Sequence, residues 1–120
     1  MRFPFNEFST EVHSQNVAAG WYTDIKTGEP LKVNVGEKLM LIVSEVSEGM
    51  EGHRKNLMDD KLPHRKMLEV ELGDAIIRIA DLAGHLGLDI EGAIEEKLAY
   101  NRVRPDHKIE NRKTENGKAY

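Results

Sequence analysis

Residues 41–54 read LIVSEVSEGMEGHR, and they place acidic side chains close to the apolar side of a helical pattern. Glu45 and Glu48 are separated by about 60° on a helical wheel, so they share a face. Leu41 and Gly52 fall on the same face, which therefore differs from the uniformly charged side of a solvated helix. Something other than solvation has to explain two acids at this position.

Two long helices are predicted, and the first contains this segment. It covers about residues 35–55, and its apolar stripe consists of Val35, Leu39, Ile42, Val43, Val46 and Met50. The second covers about residues 64–86, after a loop that contains Pro63, and its main stripe consists of Leu68, Leu72, Ala75, Ile79, Leu82 and Leu86. Ile76 and Ile77 lie on other sides of this helix, and a helix that is apolar on several sides is typically central.

Two shorter helices flank the long ones. The first is predicted over about residues 6–19 and ends at Gly20. The last is predicted over about residues 90–101, with Asp89 as its N-cap. Pro105 prevents its continuation. The sequence therefore predicts an all-α fold with four main helices.

The remaining segments have weaker patterns. Residues 21–34 contain a turn signal between two short stretches of β character, so they fit a small hairpin or an ordered loop equally well. From Asp106 onward the chain is polar and is expected to be mobile unless a ligand or a subunit orders it. We expect one helical domain over residues 1–108 and a polar tail over residues 109–120.

The composition narrows the class of protein. The chain has 120 residues, 39% hydrophobic and 32% charged, which fits one domain with a small core and favours a homo-oligomer. The net charge of −4 without a basic block argues against binding to a nucleic-acid polymer. The absence of Cys excludes disulfides and thiolate ligands. With no apolar run near the roughly 18 residues of a membrane span and no signal-peptide pattern, we expect a cytoplasmic protein without a membrane partner.

A second acidic pair lies on the second long helix. Glu71 and Asp74 repeat the spacing of the first pair, and Arg78 lies on their side four residues beyond Asp74. A short connection favours antiparallel packing of the two long helices, and the two pairs then converge. Arg78 is expected to pair with these carboxylates rather than act in catalysis.

Four converging carboxylates would repel one another and would be costly to desolvate, so a bound cation is expected among them. Oxygen ligands without sulfur suit Mg²⁺, with Mn²⁺ as a possible substitute. On spacing alone, the competing interpretation is a charged face exposed to solvent.

Arg54 is expected to pair with Glu51 or Glu48, or to reach a substrate phosphate.

Four stretches together resemble the MazG-like family of all-α nucleoside triphosphate pyrophosphohydrolases, whose metal signature is E-x-x-E followed by E-x-x-D. They are AAGWY, LIVSEVSEGMEGHR, ELGDAIIRIADLAGHLGLDIEGAIEEK and NRVRPDHK, and the resemblance covers roughly residues 10–108. It implies a four-helix bundle in which helices two and three form the metal site. The catalytic and metal-binding residues would then be Glu45, Glu48, Glu71 and Asp74. The implied reaction is attack of water on the α-phosphorus of a nucleoside or deoxynucleoside triphosphate, which releases a monophosphate and pyrophosphate.

The same resemblance suggests substrate contacts. Lys97, Asn101 and Arg104 follow one another at helical spacing, and they are expected to bind the phosphates, although a solvated helix end has the same pattern. Trp21 is expected either to stack on the base or, equally, to anchor a core or an interface. His107 is a weaker candidate.

Other interpretations stay open. His13, His53, His64 and His85 lack a paired ligand spacing and are expected to be ordinary surface or packing residues. The main alternative to an enzyme is a non-catalytic helical oligomerisation or interaction module with a charged face. A di-iron bundle is disfavoured because such sites use Glu-x-x-His pairs, whereas Glu48 and Asp74 stand at the fourth positions here. For the enzyme, we expect a homodimer or a homotetramer, with the base and sugar preference open.

Overall fold

The computed structural model describes residues 3–120, except for the side chain of His107, so the role suggested for His107 lies outside it. The first two residues of the predicted domain lie outside it as well. The described chain consists of helices and loops, without a β-strand, and the all-α prediction is confirmed. The helices are α1 (Phe5–Ala18), α2 (Val35–Arg54), α3 (Met67–Leu86), α4 (Ile90–Val103) and α5 (Ile109–Arg112), with a 3₁₀ turn at Pro105–His107.

The chain forms two compact units. The first, Pro4–Leu88, contains α1, α2 and α3. The second contains Asp89–Tyr120 together with Phe3, and therefore α4, the 3₁₀ turn and α5. The four-helix bundle and the domain boundary after residue 108 stay predictions.

Helix α3 is the centre of the first unit, as its apolar circumference predicts. Both α1 and α2 pack against it. Its buried apolar side chains are mostly small: Ala75, Ala80, Leu82 and Ala83. Small side chains let neighbouring helices approach closely, so this unit buries few large apolar groups and leaves many partly exposed.

The start of α3 corrects the sequence prediction. The helix begins at Met67 rather than near His64. The preceding loop is held by Asp59, whose carboxylate accepts hydrogen bonds from the backbone N–H groups of Lys61 (3.0 Å) and Leu62 (2.8 Å). Side-chain hydrogen bonds of this kind compete with helix formation, so the helix begins only beyond the residues that this loop contains.

The segment between α1 and α2 is an ordered loop rather than a hairpin. A single antiparallel bridge joins Thr23 to Pro30. The Asp24 carboxylate accepts hydrogen bonds from the backbone N–H groups of Lys26 (2.8 Å) and Thr27 (3.0 Å), which stabilises the turn. Gly28 closes the turn with a φ of +74°, a conformation that favours glycine.

The tail has more local structure than its polar sequence suggests. Pro105 begins the 3₁₀ turn, and its carbonyl accepts a hydrogen bond from the side-chain amide of Asn111 at 2.6 Å. Among the described residues, no helix has both the length and the apolar character needed to cross a bilayer.

Gly84 provides a test of the packing of α1 on α3. A Cβ at Gly84 would lie 2.7 Å from the Cβ of His13 and 3.0 Å from the carbonyl oxygen of Ser9, whereas a Cβ at Gly73 would meet nothing within 4 Å. We expect Gly84→Ala to lower the free energy of unfolding by about 1–3 kcal/mol because α1 must shift. The matched Gly73→Ala should raise it by up to about 1 kcal/mol through helix propensity. Urea unfolding followed by circular dichroism measures both, and equal effects would contradict the close approach.

Candidate metal centre and adjoining cavity

Helices α2 and α3 bring three acids together. Glu45 on α2 and Glu71 and Asp74 on α3 each offer a carboxylate oxygen, and the three oxygens lie within 4.8 Å of one another. Gly49 lies where the helices meet, since a Cβ there would be 3.5 Å from the Cβ of Glu71. We call Glu45, Glu71 and Asp74 the acidic triad.

The fourth predicted acid, Glu48, stands at the edge of the triad. Its side chain is exposed, whereas Glu45 and Glu71 are buried. Glu48 nevertheless lies close enough to Glu71 to contribute to the raised pKa of Glu71. The structure thus groups three of the four predicted ligands closely and leaves the fourth in contact with both solvent and the triad.

Arg78 is the basic partner of the triad. Its Nε donates to Oε1 of Glu45 at 2.9 Å, which confirms the pairing predicted from its position on α3. Arg54 pairs with Glu51 at 3.2 Å, which is one of the partners expected from the sequence. The carboxylates of the triad therefore outnumber the arginine beside them.

The excess negative charge changes the pKa values of the triad. The hydrogen bond with Glu45, burial and the nearby Glu48 raise the pKa of Glu71 from its ordinary 4.5 to about 8. The hydrogen bond from Glu71, assisted by Arg78, holds the pKa of Glu45 below its usual value. Burial, and then the charge of Glu45, raise the pKa of Asp74. Near neutral pH, Glu71 therefore keeps a proton and donates it to Glu45.

This protonation has a thermodynamic consequence. A carboxyl whose pKa is raised in the folded state stabilises the fold fully below its ordinary pKa. For Glu71, that contribution is lost as the pH rises from 4.5 through about 8. A cation can replace the proton in neutralising the carboxylates.

The donor set fits a hard divalent cation. Oxygen Oε2 of Glu71 is buried and has no hydrogen-bond partner among the described residues. An unpaired buried oxygen is unfavourable, and a cation ligated by it would remove the penalty. Three carboxylates without sulfur or imidazole suit Mg²⁺ or Mn²⁺. The residues present therefore fit the predicted cofactor, whose identity stays a prediction.

A cavity of about 330 Å³ adjoins the triad. It reaches from α2 and α3 to the end of α1 and the loop that follows. Its lining residues are Asn16, Trp21, Lys38, Glu45, Asp74, Ile77, Arg78 and Asp81. The volume lies within the range of small-molecule sites.

Sequence reasoning missed the buried polar group at one side of this cavity. Asp81 accepts a hydrogen bond from the Tyr22 hydroxyl at 2.6 Å, and its other oxygen lies 3.0 Å from Nδ1 of His13. The ring of His85 stacks on Tyr22 at 4.9 Å. Burial, and then the hydrogen bond to Asp81, raise the pKa of Tyr22. The one available signal was the position of Asp81 seven residues after Asp74, which places both on nearly the same side of α3.

The predicted substrate residues lie in both units. Trp21 is 70% exposed and lines the cavity, so it is not a core anchor. In the second unit, the Lys97 ammonium lies 4.8 Å from the centre of the Tyr100 ring, and Arg104 pairs with Asp106 at 3.2 Å. The side-chain oxygen of Asn101 is buried without a hydrogen-bond partner among the described residues. Phosphate binding by Lys97, Asn101 and Arg104 stays a prediction.

Comparisons of this chain with protein-family models, curated proteins and solved structures found no match. Its function therefore has to be inferred from the geometry of the triad and the cavity.

Metal affinity should depend on pH, because Glu71 must lose its proton to bind a cation. With a pKa of about 8 for Glu71, we expect the Mn²⁺ affinity to rise up to tenfold per pH unit from about pH 6 and to level off above about pH 8. Isothermal titration calorimetry at several pH values measures this slope. Glu71→Gln should bind Mn²⁺ weakly and with an affinity that does not change with pH. Glu69→Gln, which removes an exposed partner of Arg65, should keep both the affinity and its pH dependence. An affinity independent of pH over this range would contradict the shared proton.

Proposed function

We propose that the protein is a Mg²⁺-dependent nucleoside triphosphate pyrophosphohydrolase, which cleaves an NTP or dNTP to a monophosphate and pyrophosphate. The observation that carries the proposal is the acidic triad, with its unpaired buried Glu71 oxygen, next to a cavity of about 330 Å³. This combination fits a polyphosphate substrate bound through a divalent cation. It also agrees with the reaction implied by the MazG-like resemblance.

The acids have different roles in this proposal. Glu45, Glu71 and Asp74 would hold the cation, which would neutralise phosphate charge and lower the pKa of the attacking water. Glu48 would accept a proton from the water, because its carboxylate is open to solvent at the edge of the triad. A new bond forms between the water oxygen and the α-phosphorus. The bond from that phosphorus to the bridging oxygen breaks, and pyrophosphate leaves with the electron pair.

Basic side chains complete the phosphate site. Arg78 lines the cavity and is 41% exposed while its Nε binds Glu45, so its remaining N–H groups can donate to phosphate oxygens. Lys38 also lines the cavity and supplies a second positive charge. We assign Lys97, Asn101 and Arg104 to the phosphates on the resemblance alone.

A non-catalytic interaction module is the competing function. The observation in its favour is the ion pair between Arg78 and Glu45, which neutralises part of the triad without a cation. In the part of the chain that the structure describes, it leaves Glu71 and Asp74 without a salt bridge of their own, and a merely structural charged face does not require their burial. Catalysis is the better account of the arrangement.

We further propose that the protein works as a homodimer or a homotetramer. Four apolar side chains of α2 form one stripe at helical spacing and are 47–65% exposed: Leu39, Val43, Val46 and Met50. Helix α3 has a similar stripe, with Leu72 at 45% and Ile76 at 50% exposure. Exposed apolar stripes on adjacent helices are suited to packing against the same helices of a second copy.

A charge in the stripe should disrupt the oligomer. We expect Val46→Lys to weaken self-association at least tenfold, because the lysine must be buried at the interface or the interface must open. Light scattering after size-exclusion chromatography measures the mass. Ile25→Lys is the matched control, since Ile25 is 83% exposed in the loop before α2. A monomeric wild-type protein would refute the proposed assembly.

The reaction should depend on the triad and on the cation. We expect the wild-type protein with Mg²⁺ to produce pyrophosphate and a monophosphate, as followed by phosphorus NMR. Glu45→Gln and Asp74→Asn should each lower kcat/KM at least about 100-fold, and EDTA should abolish turnover. Glu51→Gln is the control on α2, because Glu51 pairs with Arg54 and Lys55 instead of the triad.

Two other outcomes of this assay would contradict the proposed reaction. Release of single phosphates would move the attack to another phosphorus and overturn the proposed mechanism. Absence of turnover with every common nucleotide would favour the interaction module.

A further inference from the structure

We propose that Asp81 is the specificity-determining residue for the base and selects guanine nucleotides through the adjacent N1–H and N2–H donors of guanine. The inference rests on the proposed function, since it concerns the base of the same substrate. The acidic triad is directed at phosphate and cannot distinguish one base from another. The inference therefore names the base of the substrate.

Asp81 lies at a suitable distance from the triad. It is seven residues beyond Asp74 on α3, which corresponds to about 10 Å along the helix axis and nearly the same side of the helix. Both residues line the cavity. A sugar and a base extend over a comparable distance from an α-phosphate, so phosphate at Asp74 leaves the base near Asp81.

Each oxygen of Asp81 has one hydrogen-bond partner among the described residues. Oδ2 already accepts from the Tyr22 hydroxyl at 2.6 Å, and Oδ1 lies 3.0 Å from Nδ1 of His13. A carboxylate oxygen has two lone pairs, so each oxygen can accept one further hydrogen bond. Tyr22 and His13 also fix the carboxylate, since the Tyr22 ring packs on His85 and is itself buried.

Two adjacent acceptors discriminate among bases. Guanine has two neighbouring donors, N1–H and the 2-amino group, which match a carboxylate in bidentate geometry. Hypoxanthine lacks the amino group, and the N3–H of uracil or thymine lies between two carbonyl oxygens that a carboxylate repels. A site built to receive a hydrogen bond rejects an analogue that lacks the donor, because its buried acceptor stays unpaired.

The rest of this side of the cavity suits a planar base. Trp21 is 70% exposed and offers an aromatic face for stacking. Asn16 contributes an amide that can donate to a base carbonyl or accept from an N–H group. Lys38 is held near this side by the Tyr22 ring, with Nζ 5.3 Å from its centre.

The test compares dGTP with dITP, which differ only in the 2-amino group. We expect the wild-type kcat/KM to favour dGTP at least tenfold and Asp81→Asn to lose most of this preference, because an amide has only one acceptor. Tyr22→Phe keeps the ring but frees the carboxylate, and it should reduce the preference partially. Asp60→Asn, an exposed aspartate in the loop before α3, should leave the ratio unchanged. The ratio within one variant cancels losses of folded protein or of general activity.

A binding measurement separates this inference from the proposed reaction. Trp21 is the only tryptophan, so quenching of its fluorescence by dGMP and by dIMP reports occupation of the base site without hydrolysis. Tighter binding of dGMP that is lost in Asp81→Asn supports the inference even if no triphosphate is cleaved. Equal binding of dGMP and dIMP, or a dGTP preference that survives Asp81→Asn, would overturn it whatever the reaction proves to be.

Discussion

The close packing of α2 against α3 is the constraint on which the rest of the structure depends. Gly49 and Gly52 lie where the helices meet: a Cβ at Gly52 would stand 2.7 Å from the Cβ of Met67, and one at Gly49 would stand 3.5 Å from that of Glu71. This proximity makes Glu45 and Glu71 neighbours. The like charges of these acids oppose the approach of the helices, so a proton or a cation that reduces the charge also favours the packing.

The same interaction makes the stability of the site depend on pH. Without a cation, a proton between Glu71 and Glu45 reduces the negative charge of the site, and this proton is lost as the pH rises through about 8. A divalent cation can do the same at any pH at which the acids are ionised. Metal binding would then be linked to folding, because a bound cation would favour the helix packing that forms its own site.

The sequence was sufficient for the features that depend on local periodicity. It predicted α1, α2, α4 and the two acid pairs, since each of these follows from the helical period of one segment. The pairing of Arg78 with an acid of α2 also required the expected antiparallel packing of α2 and α3. It placed the start of α3 too early, because hydrogen bonds to Asp59 compete with the helix in the preceding loop. It missed His13, Tyr22 and Asp81 as a group, since only tertiary packing brings three distant segments together.

The buried group around Asp81 also shows why α1 matters to the site. α1 contributes no member of the triad, yet His13 contacts Asp81, and the hydroxyl of Ser9 donates to the carbonyl of Ala80 one residue away. Gly84 allows this approach, because any side chain there would collide with His13. Two polar contacts from α1 therefore fix the part of α3 that borders the cavity. A helix that provides no member of the triad thereby controls the shape of the site in which the substrate would bind.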